Sequence, residues 1–159
     1  SLKISSFMLG TSLWRSLSGK ISLQLNIDFA LDSLVTIDVG SAELERFCFW
    51  PQPKINIIPI NPVAELILGK KSYKSLIDLP ESLQSSINIV DIFRPSRDVI
   101  MIVDQIIKMK WNFKKLNAIW MQIGIINEEA ANQVIKEGFD VVMNTCIMVS
   151  HKYMIQNSL

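Results

Sequence analysis

The run AIWMQIGIINEEAANQVIKEGFDVVMNTCIM, residues 118–148, decides the fold. It opens on a short apolar run, Ala118-Ile119-Trp120-Met121, and breaks at Gln122 and Gly124. Asn127 starts a helix-like segment whose first turn holds Glu128 and Glu129, where acids suit the positive end of the helix dipole. That helix is expected to end at Lys136-Glu137-Gly138, ahead of a second apolar run, Val141-Val142-Met143. Strand, turn, helix and strand follow one another at close to the shortest length that a parallel crossover needs. Open α/β sheets built from such units bind ligands at the carboxyl ends of their strands. The polar break from Gln122 to Asn127 falls at that end.

Working outward, the same punctuation recurs. Ile87-Asn88-Ile89-Val90-Asp91-Ile92 reads as a strand, followed by Phe93-Arg94-Pro95-Ser96. Ser96 suits an N-cap, and Val99, Ile102, Val103, Ile106 and Ile107 then mark one helical face at spacings of three and four. Ile55-Asn56-Ile57-Ile58-Pro59-Ile60 is a strand closed by Asn61-Pro62, since Pro62 has no N–H to continue a ladder. Val63 to Leu68 is expected to form one or two helical turns, closed by Gly69. A short helix is expected around Ser75 to Leu79, and the segment holding His151 reads as a final short helix. Leu34-Val35-Thr36-Ile37-Asp38-Val39 is the first strand of the series, ending at Gly40-Ser41-Ala42, with a short helix from Glu43 to Trp50 before Pro51 and Pro53. Ile21 to Ile27 alternates as a half-buried strand would. The repeated β-α-β order predicts an α/β domain, a doubly wound, mostly parallel five-stranded sheet with helices on both faces and right-handed crossovers.

With 49% hydrophobic and 19% charged residues, the 159-residue chain is globular rather than disordered. We read residues 1–33 as an N-terminal extension and 34–159 as one domain. A net charge of +1 implies no polyanion-binding field, so nucleic acid is not an expected partner. The basic-aromatic WNFKKLN, Trp111 to Asn117, reads as a solvated surface turn. No apolar stretch reaches the ~18 residues of a membrane span. Cys48 and Cys146 form no metal or redox spacing and fit a reduced, cytoplasmic setting. Residues 1–27 hold Lys3, Arg15 and Lys20, seven serines and no acid, a composition that an organellar (mitochondrial) transit segment would also show.

Four strand ends are expected to face one crevice: Gly40-Ser41, Asn61-Pro62, Phe93-Arg94-Pro95-Ser96 and Gln122-Ile123-Gly124. Gly40 and Ser41 stand where a helix start would present N–H groups to a phosphate, although a lone glycine there also fits a plain turn. Arg94 is the cation of the set; it either grips a phosphate with its planar fork or makes a surface ion pair. Phe93 and Pro95 offer an apolar wall to a flat ring. Gln122 either pairs with a ligand edge or caps local backbone, and Trp120 and Met121 belong in the core. His151, the single histidine, follows Cys146 by five residues. No third group orients such a pair for nucleophilic catalysis, and a metal would need more ligands.

Four segments carry a family resemblance: PINPVAELILGKKSYKSLIDLPE (59–81), VDIFRPS (90–96), WMQIGIINEEA (120–130) and the GFDVVM…CIM…H run of 138–151. Together they resemble the small stand-alone CoA-binding domain proteins, Rossmann-like and similar to the N-terminal domain of the succinyl-CoA ligase α subunit. The resemblance covers about residues 55–152. It implies coenzyme A or an acyl-CoA lying across the strand ends. Pro59, Asn61 and Pro62 match the second-strand loop beside the adenosine half; Phe93 to Ser96 match the third; Gln122 and Gly124 match the fourth. The family's first strand ends in a Gly-Ala-Ser-type turn and a long helix. Here Val39-Gly40-Ser41-Ala42 stands for that turn, while Pro51 and Pro53 interrupt the helix. Three functions follow as expectations. The first is a non-catalytic CoA-binding protein. The others are a subunit of acyl-CoA or thioester chemistry with His151 as its one histidine, and a degenerate domain whose phosphate-binding turn is incomplete.

Overall fold

The computed structural model describes residues 33–37 and 56–157. In chain order the described strands are β1 (Ser33–Ile37), β2 (Asn56–Ile60), β3 (Leu66–Ile67), β4 (Lys70–Lys71), β5 (Ile89–Ile92), β6 (Ala118–Met121) and β7 (Asp140–Val142). The helices are α1 (Glu81–Gln84), α2 (Val99–Lys108), α3 (Glu128–Lys136) and α4 (Ile147–Asn157), with 3-10 turns at Leu76–Asp78 and Ser96–Asp98. The Ile21–Ile27 strand, the Gly40-Ser41 turn, the Glu43–Trp50 helix and Cys48 lie outside the described residues.

Five strands form one sheet in the order β2-β1-β5-β6-β7, every neighbouring pair parallel. This is the doubly wound α/β arrangement that the sequence predicts. Successive side chains on a strand point to opposite faces. Ile58, Ile60, Val90, Ile92, Ile119, Met121, Val141 and Met143 therefore share a face. They pack against Val99, Ile102, Val103 and Ile106 of α2 and Ala130, Ala131 and Val134 of α3 in one buried cluster. At ~1.5–3 kcal/mol for each fully buried large aliphatic side chain, this layer is the main stabiliser of the domain. The opposite face holds Ile57, Ile89, Asp91, Ala118, Trp120, Gln122 and Val142, all buried. Trp120 Nε1 donates to the Thr145 carbonyl at 2.7 Å, which draws the start of α4, with buried Ile147, onto that face. Helices thus lie on both sides of the sheet.

Asn127 is the N-cap of α3: its side chain accepts the Ala130 N–H at 2.9 Å, with Glu128 and Glu129 in the first turn. Three local expectations are corrected. Val63 to Leu68 is not helical. Leu66–Ile67 and Lys70–Lys71 pair as an antiparallel hairpin. Its two central residues, Leu68 (φ 48) and Gly69 (φ 73), both take left-handed backbone, as a two-residue type I′ loop requires. Asn61 Oδ1 accepts the N–H groups of both Val63 and Ala64, turning the chain into this hairpin instead. Ser96 does not cap a helix through its side chain; it opens a 3-10 turn after Pro95, and its hydroxyl is engaged elsewhere. Nor is Trp111 to Asn117 wholly a solvated turn. Trp111 is exposed, but Phe113 and Leu116 are buried in the α2–α3 cluster, and Asn112 Nδ2 donates to Gln84 Oε1.

Candidate functional site at the carboxyl edge of the sheet

Because all five strands are parallel, their carboxyl ends share one edge. The chain order reverses between β1 and β5, so the topological switch point lies there, and at such a point the loops on either side diverge to leave a crevice. The structure brings Asn61 and Pro62 of β2, Phe93 to Ser96 of β5 and Gln122 to Gly124 of β6 to this edge. The loop of β1, with Gly40 and Ser41, lies outside the described residues.

Pro59 is buried within β2, and its carbonyl accepts the Tyr73 N–H at 3.0 Å. Tyr73 in turn accepts the Asn61 N–H, so the chain after the hairpin lines the outer side of β2. Asn61 shapes its loop by the two bonds above, and Pro62 is exposed beside it. Phe93 is half-buried and Pro95 exposed. Arg94 donates from Nη2 to Asp98 Oδ2 at 2.9 Å, with the arginine side chain 32% exposed. Of the two roles open to Arg94, the ion pair is the one seen in this structure. Ser96 joins two loops: its hydroxyl accepts the Ile126 N–H at 2.9 Å, and its carbonyl accepts from Asn127 Nδ2 at 2.8 Å.

Gln122 is buried, 5% exposed, and its amide turns inward, Nε2 lying 3.0 Å from each carboxylate oxygen of Asp91. It lies buried at the end of β6, beneath the edge loops. Gly124 has φ 84, a left-handed backbone that side-chain-bearing residues adopt only with strain. Its N–H donates to Asn144 Oδ1 at 2.7 Å. The loops after β5, β6 and β7 are therefore tied together by Ser96 and Asn144.

Asp91 and Asn144, which hold Gln122 and Gly124 at this edge, are residues that the sequence reading passed over. Both left a signal: an acid inside the otherwise apolar Ile89–Ile92, and a polar residue directly after the β7 run. Burial pushes the Asp91 carboxyl up to about 8; the hydrogen bonds from Gln122 and the Ile92 backbone pull the other way and are outweighed. At neutral pH the group holds its proton. His151 is also buried, and loss of hydration lowers its pKa, so it is neutral at pH 7. Cys146 lies just before α4: its carbonyl accepts the Ser150 N–H, the first bond of that helix, while its own backbone stands outside the helical run. Among the described residues no group of three His, Cys, Asp or Glu is placed to hold a metal ion. No described helix is long and apolar enough to cross a membrane.

The model of a family described as CoA binding domain matches residues 46–152. The chain is 32% identical over 95 residues to the uncharacterized protein YneT of Bacillus subtilis (strain 168). That stretch covers 60% of this chain and 64% of YneT, so the chain spans a little under two thirds of this relative. Among solved structures, a hypothetical protein of Pyrococcus horikoshii OT3 superposes with a TM-score of 0.66 at 23% identity, covering 80% of this chain and 86% of that one. A Thermus thermophilus protein gives 0.63 at 23% over 77% and 90%. A conserved hypothetical protein of Pyrococcus furiosus gives 0.61 at 18% over 74% and 97%. These three likenesses establish the fold.

Proposed function

This chain belongs to the CoA-binding domain family, and from that premise we propose that its carboxyl-edge crevice binds coenzyme A or an acyl-CoA without transforming it. The observation that carries the reading is the meeting of the loops after β2, β5 and β6 beside the β1/β5 switch point in a chain of this family.

The residues present suit the cofactor's chemistry. Coenzyme A has a flat adenine, three phosphate groups and a long thiol-bearing arm. Arg94, on a partly exposed side chain, supplies a guanidinium whose planar donors match phosphate oxygens. Half-buried Phe93 and exposed Pro95 supply an apolar wall for the ring or the arm. Asn61 and Pro62 border the adenosine end. Gln122, Ser96 and Gly124 act from beneath, by fixing the loops that carry the contacts. Gly40 and Ser41, which lie outside the described residues, are the positions that the family resemblance matches to the phosphates.

The non-catalytic part of the reading rests on where two titratable groups lie: Asp91 and His151 are both buried out of reach of solvent. Ligand that binds the folded state raises its melting temperature by mass action. A thermal-shift titration with CoA should show a rise that saturates, and incubation with acyl-CoA should release no free thiol. Absence of any shift at millimolar CoA would remove the binding claim; thiol release that disappears in His151→Ala would remove the non-catalytic one.

A further inference from the structure

Asp98 sits between two guanidinium groups. Arg94 Nη2 lies 2.9 Å from its Oδ2, and Arg97 Nε lies 3.6 Å from its Oδ1. Asp98 is the one acid in the stretch Phe93 to Asp98. Its side chain is 18% exposed and that of Arg94 is 32% exposed, whereas Arg97 extends into solvent at 84%. The contact to Arg94 spans four residues, across the 3-10 turn Ser96–Asp98.

From this geometry we propose that Asp98 limits the affinity of the crevice for phosphate-bearing ligands by competing with the phosphate for Arg94. The proposal rests on the coenzyme A reading above and deepens it. A phosphate reaching Arg94 meets a carboxylate already bound to it. It must either draw the guanidinium away or share it, and in both cases two anions come close together. An ion pair partly open to water is weak enough to be displaced. Asp98 is therefore a brake on binding, and it favours rapid exchange of ligand. It acts on the ligand through Arg94 and is a positioning residue, not a contact.

The test uses Asp98→Asn, which keeps a hydrogen-bond acceptor for Arg94 and removes the charge. Calorimetric titrations compare wild type, Asp98→Asn, Arg94→Gln and the double variant, with circular dichroism confirming that each is folded and Asp98→Ser as the second charge-removing variant. The probes are CoA, pantetheine as the phosphate-free arm, and inorganic pyrophosphate. Asp98→Asn should bind CoA about fivefold more tightly, at the low end of coupling between neighbouring groups, with pantetheine unchanged and no gain in the Arg94→Gln background. Equal or weaker CoA binding by Asp98→Asn would overturn the proposal, and so would a gain that persists without Arg94. If wild type binds no CoA, the reading of the crevice falls, and pyrophosphate decides Asp98 separately. Tightening in Asp98→Asn that is lost in the double variant supports the brake, and its absence overturns it.

Discussion

The two faces of the sheet are built on different terms. One is a continuous aliphatic layer, from Ile58 and Ile60 through Ile92 and Met121 to Val141, closed by α2 and α3. The other places a carboxyl group, an amide and an indole N–H in the same degree of burial: Asp91 at 0%, Gln122 at 5% and Trp120 at 1% exposed. The aliphatic face needs only volume and pattern. On the polar face the polar groups need particular partners, because an unsatisfied buried polar group costs about 1–3 kcal/mol. Gln122 pairs with Asp91, and Trp120 reaches the Thr145 carbonyl. The polar face also carries Gln122 to the carboxyl edge of the sheet. The aliphatic face is the main stabiliser of the fold, and the polar face adds specific pairings beside the edge loops.

This contrast can be broken from either side. The largest effect is expected at Trp120, where replacement by alanine removes a buried indole and strands the Thr145 carbonyl; a loss of about 3–5 kcal/mol in urea unfolding is expected. Ile119→Ala, its neighbour on the aliphatic face, should cost about 2–5 kcal/mol through the cavity alone, with the carboxyl-edge loops undisturbed.

Asp91 gives the pH signature of the polar face. Its folded-state pKa of about 8 stands above the ordinary value of 3.8. Below about pH 4 both folded and unfolded chains are protonated, and the stability contribution is intact. Between about pH 4 and pH 8 the unfolded chain gives up a proton that the folded chain keeps. Stability should therefore fall as pH rises through this window, by at most about 1.4 kcal/mol per pH unit, and level off above it. Asp91→Asn should flatten the slope and be more stable than wild type at pH 7. Unfolding curves at pH 5, 6.5 and 8 check this, and a slope unchanged by the substitution would show that another group is responsible.

Smaller effects separate site architecture from core. Ser96→Ala leaves the Ile126 N–H without its acceptor and should cost about 1–2 kcal/mol, with faster amide exchange at Ile126. Leu68→Gly in the hairpin relieves a left-handed backbone and should stabilise by up to about 1 kcal/mol, visible as a small rise in melting temperature.

Much of the fold is legible in the residues, for reasons the two faces make clear. Apolar runs such as Ile89–Ile92 and Ala118–Met121 are buried on both sides, as in a parallel sheet, and Val99 to Ile106 shows a helical period that tertiary packing reinforces. The hairpin at Leu66–Lys71 is not legible, because Leu68 in left-handed backbone contradicts the local preference of leucine, and only the Asn61 side chain redirects the chain. Phe113 and Leu116 are masked by neighbouring lysines, which carry their charge outward while the apolar residues turn in. At the site, the strand-end loops follow from topology alone. What their side chains do depends on partners about 30 residues away, Gln122 on Asp91 and Ile126 on Ser96, which no local pattern encodes. The Arg94–Asp98 pair, four residues apart, is the exception that could be read from spacing.

The central claim is that the carboxyl edge beside the β1/β5 switch point is a coenzyme A site. Its most direct test is an amide-resolved NMR titration of the isotope-labelled chain with CoA. Shifts gathered at Gly40 and Ser41, Asn61 to Ala64, Phe93 to Ser96 and Gln122 to Ile126, with the opposite edge around Phe113 and Asn117 unmoved, are the predicted result. No shifts at millimolar CoA, or shifts centred on that opposite edge, would contradict it.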